Sequence, residues 1–155
     1  MRRLPATATG VRRDGDAIVV AGSTGESPTL EDEEKLAILR AVREELGAEA
    51  QLIVGAGSND TRRAIAQSKE MQAAGATHLL HVSPMYNKPP QRGLIAHFRA
   101  IAESTSLPIV LYNVPGRTGG NVEARTTLDL ATVPNIVAMK EASGNLAQIG
   151  DILRG

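Results

Sequence analysis

A lysine follows one of the short apolar runs of this chain. Residues 136–139, Ile-Val-Ala-Met, have the composition of a buried strand, and Lys140 comes directly after them. Such a lysine is either the first solvated residue beyond the strand or a group at the mouth of a pocket. Strand alternation puts Ala138 and Ile136 on the same side as Lys140. If that side faces a barrel interior, desolvation favours the neutral amine, which can form a Schiff base with a carbonyl substrate.

Tyr112 ends the preceding apolar run, "PIVLYN" at 108–113. Neighbouring parallel strands end side by side, so we expect Tyr112 to lie near Lys140, where a tyrosine can shuttle protons beside an imine. The alternative is an aromatic side chain that only caps the core. Arg117 lies in the glycine-rich loop "VPGRTGG". A guanidinium there suits recognition of a carboxylate by paired hydrogen bonds, and the alternative is a solvated loop charge.

Two further polar segments follow predicted strands or lie between elements. The segment "GSTGE" at 22–26 offers the hydroxyls of Ser23 and Thr24 and free backbone N–H groups on a tight turn, which can hold a small carboxylate. The same composition is also common in loops without a ligand. Tyr86, in "SPMYNKPP" at 83–90, is an aromatic residue on a proline-stiffened loop. It predicts contact with a ligand or with a partner chain.

The charges of the chain balance, with 17 Lys plus Arg and 17 Asp plus Glu and a formal net charge of zero. One Phe, two Tyr and no Trp leave few rings for stacking on bases. We therefore predict neither a nucleic-acid partner nor an acidic-lipid partner.

Cysteine is absent, which excludes disulfides, thiolate zinc sites and a cysteine nucleophile. His78 and His81 lie three apart on a predicted strand and point to opposite faces, and we interpret both, with His97, as structural. The sequence thus predicts no metal and no cofactor. No apolar run approaches the ~18 residues of a membrane span. The N-terminus lacks a signal-peptide core, so we expect a cytoplasmic protein, with an arginine-rich transit peptide as the alternative.

Strand and helix patterns alternate along the chain, which predicts a parallel sheet. Five short, β-branched-rich runs are the predicted strands: 16–22, 51–57, 77–83, 108–113 and 136–140. Predicted helices lie between and after them: one that follows Thr29 as its N-cap and stops at Gly47, then 60–74 with Gly75 as its stop, 91–104, 122–131 and a last one from about 145.

Two folds fit this alternation, an open doubly wound sheet and a (β/α)8 barrel. A doubly wound dinucleotide fold requires a glycine-rich phosphate turn, and "GAGSND" at 55–60 lacks the third glycine. Polar residues gathered after several strand ends favour the barrel. Five strands fall short of eight, so we predict a partial TIM (β/α)8 barrel over residues 15–155. Residues 1–14 show no helix or strand period and are predicted to be a disordered or artefactual N-terminus.

From about Asp16 onward, the sequence resembles the dihydrodipicolinate synthase/N-acetylneuraminate lyase family of barrels. The resemblance rests on five motifs in family order: "GSTGESPTL", "VGAGSNDT", "VSPMYNKPPQRGLIAHF", "LYNVPGRTG" and "MKEASGN". It implies condensation or cleavage of α-keto acids, usually pyruvate, through a lysine Schiff base. It also implies that the family's first strand and helix and its last two barrel strands are missing from this sequence.

The resemblance implies a role for each candidate residue. Lys140 matches the Schiff-base lysine and Tyr112 the tyrosine that relays protons at the imine. Ser23 matches a relay hydroxyl that is usually threonine in the synthases. Thr24 matches the residue that holds the carboxylate of pyruvate, and Arg117 matches the arginine that binds the carboxylate of the second substrate.

Tyr86 matches a relay tyrosine that reaches the neighbouring subunit's site, which implies a homo-oligomer. The sialate lyases lack an arginine at the position that matches Arg117, although "GSTGE" is their form of the first motif. The resemblance therefore favours the synthase branch, which condenses pyruvate with aspartate semialdehyde on the lysine and diaminopimelate route. The alternatives are another pyruvate-dependent aldolase or sugar-acid dehydratase, and a catalytically silent fragment that pairs with another copy or a complementary half.

Overall fold

The computed structural model describes residues 17–155, and the predicted N-terminal stretch 1–14 lies outside them. Its strands are β1 (Ile18–Val20), β2 (Leu52–Gly55), β3 (His78–Val82), β4 (Ile109–Asn113) and β5 (Ile136–Glu141). Every neighbouring pair is parallel, and the order in the sheet is β1-β2-β3-β4-β5. A doubly wound sheet reverses its strand order, whereas a barrel wall adds strands in sequence. The partial barrel is therefore confirmed.

Helices follow the strands at nearly the predicted places. They are α1 (Asp32–Leu46), α2 (Thr61–Ala73), α3 (Gln91–Glu103), α4 (Pro115–Thr118), α5 (Ala124–Ala131) and α6 (Leu146–Arg154). The short α4 lies in the stretch that the sequence suggested was a loop. Two 3₁₀ turns, Ser23–Gly25 and Ser27–Thr29, connect β1 to α1.

The start of α1 differs from the prediction. Glu31, not Thr29, is the N-cap, because Glu31 and Glu34 form a reciprocal capping box in which the Glu31 N–H donates to Glu34 Oε2 at 2.9 Å. Thr29 instead belongs to a 3₁₀ turn and donates its hydroxyl to the backbone oxygen of Glu26. The predicted stops are confirmed, since Gly47 and Gly75 follow α1 and α2 with φ angles of 80° and 99°.

The helices cover one face of the sheet, which we call the helix-covered face. Alternate strand residues pack there against the helices in the main core, among them Leu52, Leu79, Ile109 and Leu111. The intervening strand residues point to the opposite side, which we call the open face. A smaller buried cluster lies on that face and consists of Leu80, Val82, Tyr112 and Val114.

An irregularity in β5 changes which residues share a face. Ile109 pairs with Ile136, but the next residue, Val110, pairs with Ala138, so β5 carries one extra residue at this point. Ile136 is consequently buried in the main core, while Ala138 is exposed. The prediction that Ile136 lies on the same side as Lys140 is therefore wrong, because the bulge interrupts the strict alternation of the strand.

Candidate active site

A cavity of about 430 Å3 lies beyond the carboxyl ends of β1 to β4. Its walls include residues that follow each of these strands, which are Ala21 and Ser23, Gly57 and Ser58, Met85, and Val114 and Arg117. In β/α barrels this end of the strands carries the chemistry.

Glycines at the end of β2 let the strand ends approach closely. A Cβ on Gly55 would collide with the backbone oxygen of Ala21, and one on Gly57 would lie 2.7 Å from the backbone nitrogen of Val82. The segment "GAGSND" is therefore explained by packing between neighbouring strand ends. It needs no phosphate ligand.

Tyr112 and Lys140 are brought together as predicted. They are direct neighbours across β4 and β5, and Lys140 Nζ lies 4.1 Å from the centre of the Tyr112 ring. The ammonium contacts the face of the ring, which is a cation–π arrangement. Tyr112 is buried and lines the cavity, so one member of the pair forms part of the cavity wall.

Contrary to the prediction, Lys140 is not shielded from solvent by the described residues. Lys140 is exposed and does not line the cavity. The reason is its place in the sheet, because β5 is an edge strand that pairs only with β4 among the described strands. Its open-face neighbour Ala138 is exposed as well.

Arg117 and Ser23 both line the cavity, although they come from distant parts of the sequence. Arg117 is exposed on α4, whose first residue is Pro115 and whose end is set by Gly119 with a φ of 76°. Thr24 is exposed on the same 3₁₀ turn as Ser23 but is not part of the cavity wall. The structure thus unites two of these three side chains in one space.

Tyr86 stands apart from the other candidates. Its side chain is 91% exposed, and its backbone adopts a left-handed φ of 71°. The Tyr86 N–H donates to the backbone oxygen of Thr118 at 3.1 Å, which ties this loop to α4. A large exposed aromatic on a fastened loop is available to a partner surface.

Sequence reasoning missed two cationic side chains in the cavity wall, Lys35 of α1 and Arg63 of α2. Lys35 is buried, and its ammonium donates to Asp32 Oδ1 at 3.1 Å. This hydrogen bond, with one from Gln67, lowers the pKa of Asp32 although burial opposes the shift. Arg63 lies 3.5 Å from the same carboxylate. No motif marked these residues, since only the packing of α1 on α2 brings them to the cavity.

Polar side chains also gather directly behind Tyr112 and Lys140. Asn113 is fully buried and donates to Glu141 Oε2 at 2.9 Å. Asn121 and Gln148 join the same cluster. The sequence could have indicated Asn113 and Glu141, because each directly follows a predicted site residue.

The two buried histidines, His81 and His97, each contact a hydroxyl of α2. His81 is fully buried, with its Nε2 at 3.3 Å from the Ser68 hydroxyl, and His97 Nδ1 lies 2.8 Å from the Thr61 hydroxyl. Burial, aided by the nearby His97, lowers the pKa of His81 to about 3. Within residues 17–155, no three His, Asp or Glu side chains are grouped so that they could hold a metal ion.

Every helix in the described part of the chain is too short or too polar to cross a membrane.

A model of the dihydrodipicolinate synthetase family matches residues 8–155. This match begins inside the stretch 1–14 that the motifs left unmatched. A curated relative, 4-hydroxy-tetrahydrodipicolinate synthase 1 of Halalkalibacterium halodurans, is 53% identical over 143 residues, which are 92% of this chain and 48% of the relative. The 4-hydroxy-tetrahydrodipicolinate synthase of Moorella thermoacetica is 53% identical over 93% of this chain and 49% of its own length. This chain spans about half the length of the curated relatives it matches.

Solved structures agree with the sequence relatives. A dihydrodipicolinate synthase from Cyanidioschyzon merolae, solved with lysine bound, superposes with a TM-score of 0.92 at 49% identity, over 96% of this chain and 51% of that one. A chloride-inhibited dihydrodipicolinate synthase from Acinetobacter baumannii in complex with pyruvate gives a TM-score of 0.89 at 40% identity, over 93% and 50% of the two chains.

Proposed function

Because this chain belongs to the dihydrodipicolinate synthetase family, we propose that it carries the Schiff-base site of a 4-hydroxy-tetrahydrodipicolinate synthase. The reaction is the condensation of pyruvate with L-aspartate 4-semialdehyde on the lysine and diaminopimelate route. The observation that carries the proposal is the contact between Lys140 and Tyr112, 4.1 Å from Nζ to the ring centre, beside the cavity. The pyruvate bound to the Acinetobacter baumannii synthase supports the choice of the keto acid.

In the proposed reaction, neutral Lys140 Nζ adds to the ketone carbon of pyruvate, and the carbonyl oxygen leaves as water to give an imine. Loss of a methyl proton gives an enamine, whose carbon then bonds to the aldehyde carbon of the second substrate. Tyr112 passes the protons that these steps release and consume. Ser23 and Tyr86 are the proposed further members of this relay.

Two side chains are proposed to bind the substrates' carboxylates. Thr24, on the exposed 3₁₀ turn after β1, takes the carboxylate of pyruvate. Arg117, in the cavity wall, takes the carboxylate of the semialdehyde, because a guanidinium offers two parallel hydrogen bonds to a carboxylate. No metal or cofactor enters this scheme, and a cytoplasmic location stays a prediction from the sequence.

A homo-oligomer is the proposed assembly. Apolar side chains at both edges of the sheet and on α6 are exposed, with Val19 and Val137 at 54% and Leu146 and Leu153 at 81%. Association would cover this surface. We expect light scattering over a concentration series to give a mass above that of one chain. A monodisperse monomer at every concentration would contradict the proposal.

The same exposed surface favours a second candidate, a chain that is silent until it pairs with another copy or a complementary half. The exposure of Lys140 supports this candidate, since a Schiff-base lysine works best where water is excluded. Another pyruvate-dependent aldolase or sugar-acid dehydratase of the same family remains the alternative for the second substrate.

Trapping the imine tests the proposed function. Borohydride with pyruvate should leave a stable adduct on Lys140, located by peptide mass mapping. Lys140→Arg keeps the charge but cannot form the imine, so its adduct should be lost, while the matched control Lys69→Arg, at an exposed helix position, should react like the parent. An adduct spread evenly over the lysines would refute the proposal.

A further inference from the structure

Four polar side chains lie behind the Tyr112–Lys140 pair, and we call them the strand-end clamp: Asn113, Asn121, Glu141 and Gln148. Asn113 ends β4 and Glu141 ends β5, and the two are register partners, as Tyr112 and Lys140 are one residue earlier. Successive strand residues point to opposite faces, so the clamp lies on the other side of the sheet from the reacting pair.

Hydrogen bonds tie the clamp into one unit. Asn113 Nδ2 donates to Glu141 Oε2 at 2.9 Å and to Asn121 Oδ1 at 2.8 Å, while Asn113 Oδ1 accepts from the Val122 N–H at 3.0 Å. Gln148 Nε2 donates to Glu141 Oε2 at 3.0 Å, and its Oε1 accepts from Asn121 Nδ2 at 2.8 Å. The clamp therefore connects the ends of β4 and β5, the segment before α5, and the first turn of α6.

Glu141 is held as an anion by neutral donors. Its carboxylate accepts hydrogen bonds from Asn113, from Gln148 and from the Ser143 N–H at 2.7 Å. Partial burial alone would raise the pKa of Glu141, but these hydrogen bonds lower it from the ordinary value. Among residues 17–155, no lysine, arginine or histidine forms an ion pair with it. Hydrogen bonds to an ionised acceptor are stronger than neutral ones, so the clamp is stiff.

The reacting pair depends on such an anchor. Among the described strands, β5 has a neighbour on one side only, and its bulge loosens the pairing at its start. At the far end, the Ala142 N–H donates to the Asn113 backbone oxygen at 2.9 Å, and the clamp surrounds this bond. A slip of β5 along β4 would carry Lys140 away from the Tyr112 ring.

We propose that Asn113 and Glu141 are positioning residues that hold Lys140 Nζ against Tyr112 by locking the ends of β4 and β5 together. This inference deepens the proposed Schiff-base function and rests on it. Neither residue touches the substrate; each acts through the lysine and the tyrosine.

Glu141→Gln is the discriminating variant. It keeps the shape but turns one acceptor oxygen into a donor that faces the donors of Asn113 and Gln148. Glu103→Gln is the matched control, because Glu103 is an exposed carboxylate at the end of α3. Should Glu141→Gln unfold, Gln148→Met, which removes a single donor from the carboxylate, serves for the same measurements.

The first measurement needs no substrate. The Tyr112 ring current displaces the NMR shifts of the Lys140 side-chain methylenes, which selective lysine labelling makes visible. We expect this displacement in the parent and in Glu103→Gln, and its loss in Glu141→Gln under conditions where that variant is folded. An unchanged displacement in folded Glu141→Gln, or none in the parent, would overturn the inference.

The second measurement is the rate of the borohydride-trapped pyruvate adduct. We expect Glu141→Gln to slow it by up to about 100-fold, the effect that a misplacement of about 1 Å can have. Adding Asn113→Asp exchanges donor and acceptor across the pair and should restore part of the rate. A rate that only follows the folded fraction, or no recovery in the double variant, means a structural role and overturns the inference. If the parent forms no adduct on Lys140 while the methylene shifts still depend on Glu141, the proposed function fails and the positioning role stands.

Discussion

The helix-covered face and the open face of the sheet differ in how their side chains are held. On the helix-covered face, Leu39, Leu79 and Phe98 are shielded from solvent to 1% exposure or less by helices that pack on alternate strand residues. On the open face, a small cluster around Tyr112 ends at the exposed Lys140. The first face gains stability from packing, whereas the second places Tyr112 in the cavity wall beside an exposed lysine.

This difference teaches that stability and chemistry draw on separate residues of the same strands. A substitution in the apolar core on the helix-covered face should change the free energy of unfolding and leave the chemistry of folded protein intact, whereas the proposed strand-end clamp on that side also affects the reacting pair. A substitution of an exposed open-face side chain such as Lys140 should do the reverse.

Phe98→Ala should give the largest loss of stability. Phe98 of α3 is 1% exposed in the main core, so removing its ring leaves a cavity and should lower the free energy of unfolding by about 3–5 kcal/mol. Arg99→Ala in the same helix is the control, because this exposed side chain should change stability by no more than about 0.5 kcal/mol. Urea denaturation followed by circular dichroism measures both. Equal losses in the two variants would contradict the role of Phe98 in the packed core of the helix-covered face.

Arg117→Ala should separate the two substrates. Losing a charge-assisted pair with a carboxylate costs about 1.5–3 kcal/mol, so condensation with aspartate semialdehyde should slow roughly 10- to 100-fold. The pyruvate adduct on Lys140 should stay near the parent level, since Arg117 is assigned to the second substrate only. Arg92→Ala, at an exposed position of α3 outside the cavity wall, is the control. A parallel fall of adduct and condensation would show that the role given to Arg117 is wrong.

His81 should produce a smaller effect, visible only as pH falls. Burial lowers the pKa of His81 in the folded protein from 6.5 to about 3, so the unfolded chain takes up a proton first. Its contribution to stability is therefore complete above about pH 6.5 and is lost as the pH falls toward 3, at up to about 1.4 kcal/mol per pH unit.

The window from pH 6.5 to 5 separates the buried histidines from the carboxyls with lowered pKa values, Asp32, Asp60 and Glu141, which titrate below it. His81→Leu should give a shallower fall of the unfolding free energy across that window than the parent. His97→Leu serves as a comparison, since burial lowers the pKa of His97 too. Identical slopes in the parent and in His81→Leu would contradict the buried, neutral state of His81.

Much of the fold followed from local patterns. β-branched runs predicted all the strands of the described sheet, and Gly47 and Gly75 marked helix ends because they adopt positive φ angles. The adjacency of Tyr112 and Lys140 followed from parallel strands whose ends meet. The face on which Ile136 lies could not be predicted in this way, because a bulge depends on pairing between strands and leaves no sign in the sequence of one strand.

The candidate site was only partly predictable for the same reason. Lys35 and Arg63 reach the cavity through the packing of α1 and α2, which sequence spacing alone does not specify. The exposure of Lys140 depends on which strands flank β5, and this too is a tertiary property. Residues at strand ends were predictable, whereas residues placed by helix packing were not.

The bulge in β5 also lets residues at alternate positions of this strand lie on both faces of the sheet. Before the extra residue, Ile136 contributes to the hydrophobic interior; after it, Ala138 and Lys140 belong to the opposite surface. One inserted residue thus resets the phase of the side-chain alternation in the middle of a six-residue strand. Ile136 and Lys140, which an even number of positions separates, can therefore lie on opposite faces of the sheet, one in the hydrophobic core and the other at the surface proposed to bind pyruvate.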